Sequence, residues 1–302
     1  MTIGGPLDLK SYLEERRTMV DDALEHYLPA SDTLPQSVHE AMRYSVFAGG
    51  KRIRPVLMMA ACETLGSEPD RTLPAACAIE MIHTYSLIHD DLPAMDDDDF
   101  RRGRPTCHKV YGEATAILAG DALLTEAFLL LSRPDVLEGV PDDVRCRVIH
   151  TIGRCAGSLG MVGGQVVDME SEGKSIDLPT LEYIHTHKTG ALILASIQSG
   201  ALIGGADETD LRALSRYAEA AGLAFQVADD ILDVVGDQEQ IGKDVGSDQA
   251  RGKATYPSLL GLSVARQRAR ELKDVAIGEI EPFGARAEPL REIARYIVER
   301  AF

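Results

Sequence analysis

Two aspartate clusters constrain this chain more than any other feature. The first runs Asp90-Asp91-Leu92-Pro93-Ala94-Met95-Asp96 and continues into Asp97, Asp98 and Asp99. The second is Asp229-Asp230-Ile231-Leu232-Asp233. Each follows a long apolar stretch with helical character, and basic residues come after each. Carboxylates this close repel one another. Leaving them ionised beside apolar sequence is costly unless a cation lies between them. Oxygen-only clusters without neighbouring cysteines suit Mg²⁺, which takes one or two carboxylates and completes its shell with water and substrate phosphates. The pattern points to a diphosphate held between two acidic helix ends. A solvated acidic patch is the simpler reading of Asp97 to Asp99, but it explains the second cluster poorly. Asp229 and Asp233 lie about 40° apart around a helix axis and share a face. Their segment is otherwise apolar: Leu223, Ala224, Phe225, Val227, Ala228, Ile231 and Leu232.

Spacing predicts helices almost throughout. Apolar positions recur at three and four residues over Leu9 to Tyr27, Ser37 to Ala48, Arg54 to Leu65, Leu73 to His89, Glu113 to Ser132 and Asp142 to Glu170. The pattern resumes over Leu178 to Ile203, Glu208 to Val235, Tyr256 to Val275 and Pro289 to Arg300. No alternating strand pattern of useful length and no Asn-Gly or Asp-Gly hairpin turn interrupts them. An all-α bundle follows, and bundles build metal sites from side chains on facing helices. No linker divides the 302 residues, so one domain, 1–302, is expected.

Charge narrows the function. A net charge of −17 lacks the basic footprint of nucleic-acid binding. Five cysteines with no CxxC pair read as free thiols in a reducing cytosol. The N-terminus lacks the basic start and apolar block of a secretory signal. No stretch reaches 18 uninterrupted apolar residues, so a soluble, cytoplasmic protein without a stable membrane anchor is expected.

Basic residues complete the candidate site. Gly49-Gly50-Lys51-Arg52-Ile53-Arg54-Pro55 places three cations before a helix, where close backbone approach and the helix N-terminus favour anions. Arg101 and Arg102 follow the first acid cluster, Lys188-Thr189-Gly190 lies within a helix, and Lys243 and Lys253 follow the second cluster. Any one of these alone reads as a solvated face. Together with two acid clusters they suit a site for more than one polyanion. The glycine-punctuated, polar segment Gly236 to Lys253 reads as a closing lid.

On these residues the chain resembles the trans-isoprenyl diphosphate synthases, and among them the bacterial farnesyl diphosphate synthases. Asp90 to Asp96 matches the family's first aspartate-rich motif in its form with four intervening residues, and Asp229 to Asp233 matches the second. Gly50, Lys51, Arg54, His83 and Arg102 match the isopentenyl diphosphate site. Arg101, Lys188, Thr189, Gln226, Lys243 and Lys253 match the allylic diphosphate site. The resemblance implies an isoprenoid-synthase-type bundle around a deep central cavity, usually a homodimer. It also implies about three Mg²⁺ ions, replaceable by Mn²⁺, on Asp90, Asp96, Asp229 and Asp233. Lys188, Thr189 and Gln226 become the catalytic candidates, Lys188 on the allylic diphosphate and Thr189 and Gln226 with oxygen dipoles that can turn toward a forming allylic cation. His83 reads equally as an ordinary core histidine, and His89 reads as structural.

The implied reaction joins isopentenyl diphosphate to dimethylallyl or geranyl diphosphate. Tyr85 and Ser86, just before the first motif, are the chain-length candidates. Whether Tyr85 floors the groove depends on the rotation of its helix. A farnesyl (C15) product is the leading expectation and a geranylgeranyl (C20) product the alternative. A terpene cyclase fits less well, because cyclases line their pockets with aromatic rings. This chain is 5% aromatic with no Trp, and it carries the Lys51 and Arg54 pair. A non-catalytic partner subunit would not need both acid clusters intact.

Overall fold

The computed structural model describes residues 7–235 and 253–299. Lys243 and most of the expected lid lie outside the described residues. Helices α1 (Leu9–Tyr27), α2 (Gln36–Val46), α3 (Ile53–Thr64) and α4 (Leu73–Asp90) lead to the first acid cluster. Then come α5 (Cys107–Tyr111), α6 (Glu113–Ser132), α7 (Asp142–Ala156), α8 (Met161–Ser171) and α9 (Leu178–Ile184). A π-helical segment, His185–Gly190, runs into α10 (Ala191–Gly204) and is followed by α11 (Glu208–Val235). The described chain resumes with α12 (Tyr256–Leu260), α13 (Leu262–Glu279) and α14 (Glu288–Glu299).

Two expected helices are broken and a third is distorted, each for a local reason. The single helix expected over Asp142 to Glu170 is two, α7 and α8, because the backbone leaves helical geometry at Gly157 and Gly160. The stretch Leu178 to Ile203 stays helical but widens to a π turn at His185–Gly190, the kind of local bulge that often marks a functional site. Tyr256 to Val275 is interrupted at Gly261, whose φ of 83° ends one helix and starts the next. A two-residue hairpin, Phe100–Arg101 against Arg104–Pro105, also forms within the basic run after the first acid cluster. It is too short to show as alternation.

The core has two connected parts. One lies between α4 and α6 and takes in residues of α1, α2 and α7. The other surrounds α11, with α13 and α14 against it. Helices α3 and α10 serve both, and Gly200 brings them together at van der Waals distance from Met58 O, leaving no room for a Cβ. Helix α14 shows why the sequence folds this way. Leu290, Ile293, Ala294, Ile297 and Val298 are spaced by three and four and all are buried. Each large aliphatic side chain among them contributes about 1.5–3 kcal/mol of burial. Tyr217 of α11 is fully buried and donates to Leu290 O at 2.7 Å, which ties the two helices.

Helix α6 is long and apolar enough to cross a membrane by composition. It buries Ala116, Ala119, Leu123, Ala127, Leu130 and Leu131 in the core while Ile117, Leu118 and Leu129 stay exposed.

Candidate active site

Helix α4 turns Glu80, His83, Leu87 and Asp90 toward one cavity of about 1170 Å³. Their spacing of three and four is one helix face. Beyond Asp90 the chain folds back on itself. Asp96 N donates to Asp90 O at 2.8 Å and Asp97 N to Leu92 O at 3.1 Å. The four intervening residues therefore form a turn that returns Asp96 to the cavity wall. From the opposite side α11 contributes Gln226, Asp229 and Asp233 to the same cavity. The four carboxylates expected to hold metal thus share one space.

The acids left out of that set have other partners. Asp91 is buried and takes the Arg101 guanidinium, with Nη2 at 2.6 Å and Nε at 2.7 Å from Oδ1. Asp98 O accepts from Thr106 Oγ1 at 2.8 Å, and Asp99 pairs with Lys109 at 2.6 Å. Those residues shape the hairpin that presents Arg101 and Arg102, beyond the solvated role expected of them.

The basic residues form two groups on the cavity wall. Gly50, Lys51, Arg54, His83 and Arg102 make one. Arg102 donates to Gly49 O, and Gly50, at φ 139°, lies so close to the Arg102 guanidinium that a Cβ would strike it. Lys51 Nζ rests 5.7 Å from the Tyr296 ring centroid. Arg54 Nε is buried with no protein hydrogen-bond partner, a donor suited to an anion. His83 is held well below the usual imidazole pKa by burial, with Arg54 and Arg102 adding to the effect. A neutral imidazole there can donate to a diphosphate oxygen without adding charge.

The second group is Arg101, Lys188 and Lys253. Lys188 Nζ lies 2.6 Å and Lys253 Nζ 3.4 Å from Asp168 Oδ2, and Lys253 is also 3.7 Å from Asp96 Oδ1. Burial raises the Asp168 pKa, but the two ammonium groups outweigh it and hold the carboxyl below its ordinary value. Gly164 lets α8 lie directly on the Lys188 backbone, since a Cβ there would overlap Lys188 N. Asp168 follows one turn later on α8. Sequence reasoning missed it. The signal was present in the small-residue run Gly163-Gly164 followed by an acid on the same helix.

Arg52 was also missed as a structural element of the site. Its side chain is buried, with Nη1 2.8 Å from Glu80 Oε1, Nε 2.8 Å from Asp21 Oδ1 and Nη2 donating to Val46 O at 2.6 Å. It anchors the loop that carries Lys51 and Arg54.

Three candidates lie off this wall. Thr189 sits in the π segment next to Lys188 but is absent from the cavity lining. Tyr85 and Ser86, expected at the groove floor, are also absent from it. Tyr85 is buried in the α4–α6 core with its ring edge-on to His89 at 5.7 Å. Ser86 donates back to His83 O at 2.8 Å. The rotation of α4 decides this, because the cavity face is the His83–Leu87–Asp90 stripe. His89 in turn abuts Gly120 of α6, with Nε2 3.1 Å from Ile117 O.

The donor set fits a divalent cation that brings its own ligands. Among the described residues no three His, Cys, Asp or Glu side chains converge into a ready-made cage. Mg²⁺ needs none, since one or two carboxylates plus phosphates and water suffice. Burial pushes the Asp90 carboxyl up to about 6, with Lys188 opposing and Asp96 adding. A carboxylate so short of positive charge is what a bound cation would relieve.

Two acid faces and two basic groups around one cavity suit an enzyme that handles diphosphates. The polyprenyl synthetase family model matches residues 35–283, and the chain belongs to that family. It is 54% identical over 262 residues to a farnesyl diphosphate synthase of Geobacillus stearothermophilus, covering 87% of this chain and 88% of that one. It is 48% identical to a geranylgeranyl diphosphate synthase of Cyanophora paradoxa, covering 97% of each. Among solved structures it superposes on an FPP/GFPP synthase from Zymomonas mobilis with a TM-score of 0.86 at 41% identity, covering 96% of this chain and 99% of that one. The fold is the all-α isoprenoid-synthase bundle and the activity is prenyl transfer. Such enzymes act on allylic diphosphates and isopentenyl diphosphate and use divalent metal ions.

Proposed function

We propose that the protein condenses isopentenyl diphosphate head-to-tail with dimethylallyl and then geranyl diphosphate to give farnesyl diphosphate. The observation that carries this reading is the shared cavity, whose lining brings Asp90, Asp96, Asp229 and Asp233 together with Lys51, Arg54, Arg101, Arg102, Lys188 and Lys253. Asp90, Asp96, Asp229 and Asp233 would hold Mg²⁺, about three ions as in the family it resembles, with Mn²⁺ able to replace it. Mg²⁺ held there would neutralise charge on the leaving diphosphate. Arg101, Lys188 and Lys253, with Lys243 from the undescribed segment, hold the same diphosphate as its C–O bond breaks. Gln226, on the cavity wall, turns its oxygen dipole toward the allylic cation. Gly50, Lys51, Arg54, His83 and Arg102 hold isopentenyl diphosphate so that its double bond attacks that cation. The proton then lost passes to the departing diphosphate, so no protein nucleophile is needed.

The C15 product is supported by the 54% identity to a relative named as a farnesyl diphosphate synthase. A C20 product is the second reading, supported by the relative named for it. We further propose a single cytoplasmic domain that works as a homodimer, supported by the exposed apolar face of α6 at Ile117, Leu118 and Leu129. Incubation with Mg²⁺, isopentenyl diphosphate and each allylic primer (C5, C10, C15), with products read by mass spectrometry, tests the reaction. A C15 product from C5 and C10 primers is expected. Absence of any condensation overturns the reading, and a mainly C20 product replaces it with the alternative.

A further inference from the structure

Asp230 sits inside the second acid cluster yet has a different task from its neighbours. It is buried, and its Oδ2 accepts from Tyr256 N at 2.8 Å and lies 3.0 Å from His185 Nε2. A carboxylate oxygen only accepts, so Nε2 carries the proton and donates. The Tyr256 ring stacks on the His185 imidazole with centroids 5.8 Å apart and planes 17° from parallel. Tyr256 is wholly buried and its hydroxyl donates to Glu182 Oε1 at 2.7 Å. Next to it a capping box between Thr255 and Ser258 starts α12.

This cluster joins three pieces of the site. His185 opens the π segment, three residues before Lys188. Asp230 lies on α11 between Asp229 and Asp233. Tyr256 comes three residues after Lys253, where the described chain resumes. A buried histidine donating to a carboxylate that takes a second, backbone donor is a rigid joint, because each partner leaves the others no alternative inside the protein.

We propose that His185 is a positioning residue. Through Asp230 it locks the π segment and the chain around Lys253 onto α11, and so sets both lysines where they meet Asp168 on the cavity wall. The inference rests on the prenyl-transfer reading for what the lysines hold. It predicts that the joint governs the allylic diphosphate side of the cavity and leaves the isopentenyl diphosphate side alone, since Lys51, Arg54 and Arg102 are anchored elsewhere through Arg52 and Gly49.

The test uses the full chain as wild type, His185→Ala, His185→Gln, Asp230→Asn and the His185→Ala/Asp230→Asn double variant. Binding of inorganic diphosphate in the presence of Mg²⁺ is measured by calorimetry, and KM for each substrate by steady-state kinetics. His185→Ala is expected to weaken diphosphate binding and raise the allylic KM by roughly ten- to a hundredfold, as loss of a supporting hydrogen bond does at metal sites. The KM for isopentenyl diphosphate should stay near wild type. His185→Gln, which keeps a nitrogen donor, should recover most of the loss. The two single effects should not add in the double variant, because they break the same joint. The inference is overturned if His185→Ala binds diphosphate like wild type, or if both KM values worsen together and Gln gives no rescue. It is equally overturned if Asp230→Asn has its full effect in the His185→Ala background, which would make Asp230 a direct ligand. Should His185→Ala fail to fold, Asp230→Asn, with nearly unchanged volume, decides by the same KM split. Wild type that binds diphosphate but condenses nothing refutes the reaction assigned above and leaves the joint standing on the binding data.

Discussion

Lys188 Nζ lies 2.6 Å from Asp168 Oδ2, and Lys253 reaches the same oxygen from the far side of the second acid cluster. Two ammonium groups this close repel, and the shared carboxylate is what holds both in the cavity before any anion arrives. Asp168→Asn should therefore release them. Loss of a charged hydrogen bond costs about 1.5–3 kcal/mol. The KM for the allylic substrate should rise roughly tenfold or more, 1.4 kcal/mol being one decade. The KM for isopentenyl diphosphate should hardly change. Steady-state kinetics with each substrate varied in turn checks this, and an unchanged allylic KM would remove Asp168 from the site.

Asp90→Ala and Asp229→Ala should each slow turnover by roughly a hundredfold or more, as expected when groups that stabilise transition-state charge are removed. Neither should unfold the protein, because taking away one of several crowded carboxylates relieves repulsion. Circular dichroism beside single-turnover rates separates the two effects. Excess EDTA should abolish turnover of the wild type, and Mg²⁺ or Mn²⁺ should restore it. Full activity in EDTA would sink the metal assignment. Lys51→Ala and Arg54→Ala should instead act mainly on the KM for isopentenyl diphosphate.

His83 gives a pH signature. Its folded pKa lies well below the ordinary value of 6.5. In the unfolded chain the ring takes a proton near 6.5, so below that pH the unfolded state binds more protons and stability falls. The contribution is fully present above 6.5 and is lost as pH drops toward the depressed folded value, at most about 1.4 kcal/mol per pH unit. His83→Gln removes the titration. Denaturant midpoints at pH 7 and pH 5 should therefore fall less in His83→Gln than in wild type. Equal slopes would mean that the ring titrates normally.

Tyr85→Ala removes one ring of the Tyr85–His89 pair between α4 and α6. Truncating a buried aromatic residue costs about 3–5 kcal/mol, so a lower Tm is expected. The vacated apolar volume lies one helix face away from the cavity wall. If growing chains enter that space, C20 or longer products should appear while the first condensation stays near wild type, because the metal carboxylates are untouched. Mass spectrometry of products from a C5 primer reads this directly. A variant that still stops at C15 would place the limit on the Leu87 side of α4.

Much of the site was legible before any coordinates. The acid pairs Asp90/Asp96 and Asp229/Asp233, the basic residues Lys51, Arg54, Arg101, Arg102, Lys188 and Lys253, and Gln226 line one cavity. Local spacing marked them because ionised groups inside apolar helical runs need a partner, and that need is written in adjacent residues. Helix identity was legible for the same reason, since a period near 3.6 is a local property. The breaks at Gly157, His185 and Gly261 were hidden, because propensity alone tolerates glycine and histidine inside a helical pattern and only packing against neighbours selects the break.

What the sequence by itself determined, then, was the all-α character, the chemical identity of the ligands and the two-anion logic of the site. Each of these follows from residue type and short-range periodicity. Tertiary structure alone decided which members of each cluster face the cavity. It turned Asp91 off the wall to Arg101, and it tied Asp230 to His185 and Tyr256 while Asp90 and Asp229 line the same cavity without that joint. It turned Tyr85 toward α6 and brought in Asp168 from a helix with no acidic motif of its own. The physical reason is that helix rotation and long-range pairing are set by close packing between helices distant in sequence, and no local window of residues contains both sides of such a contact.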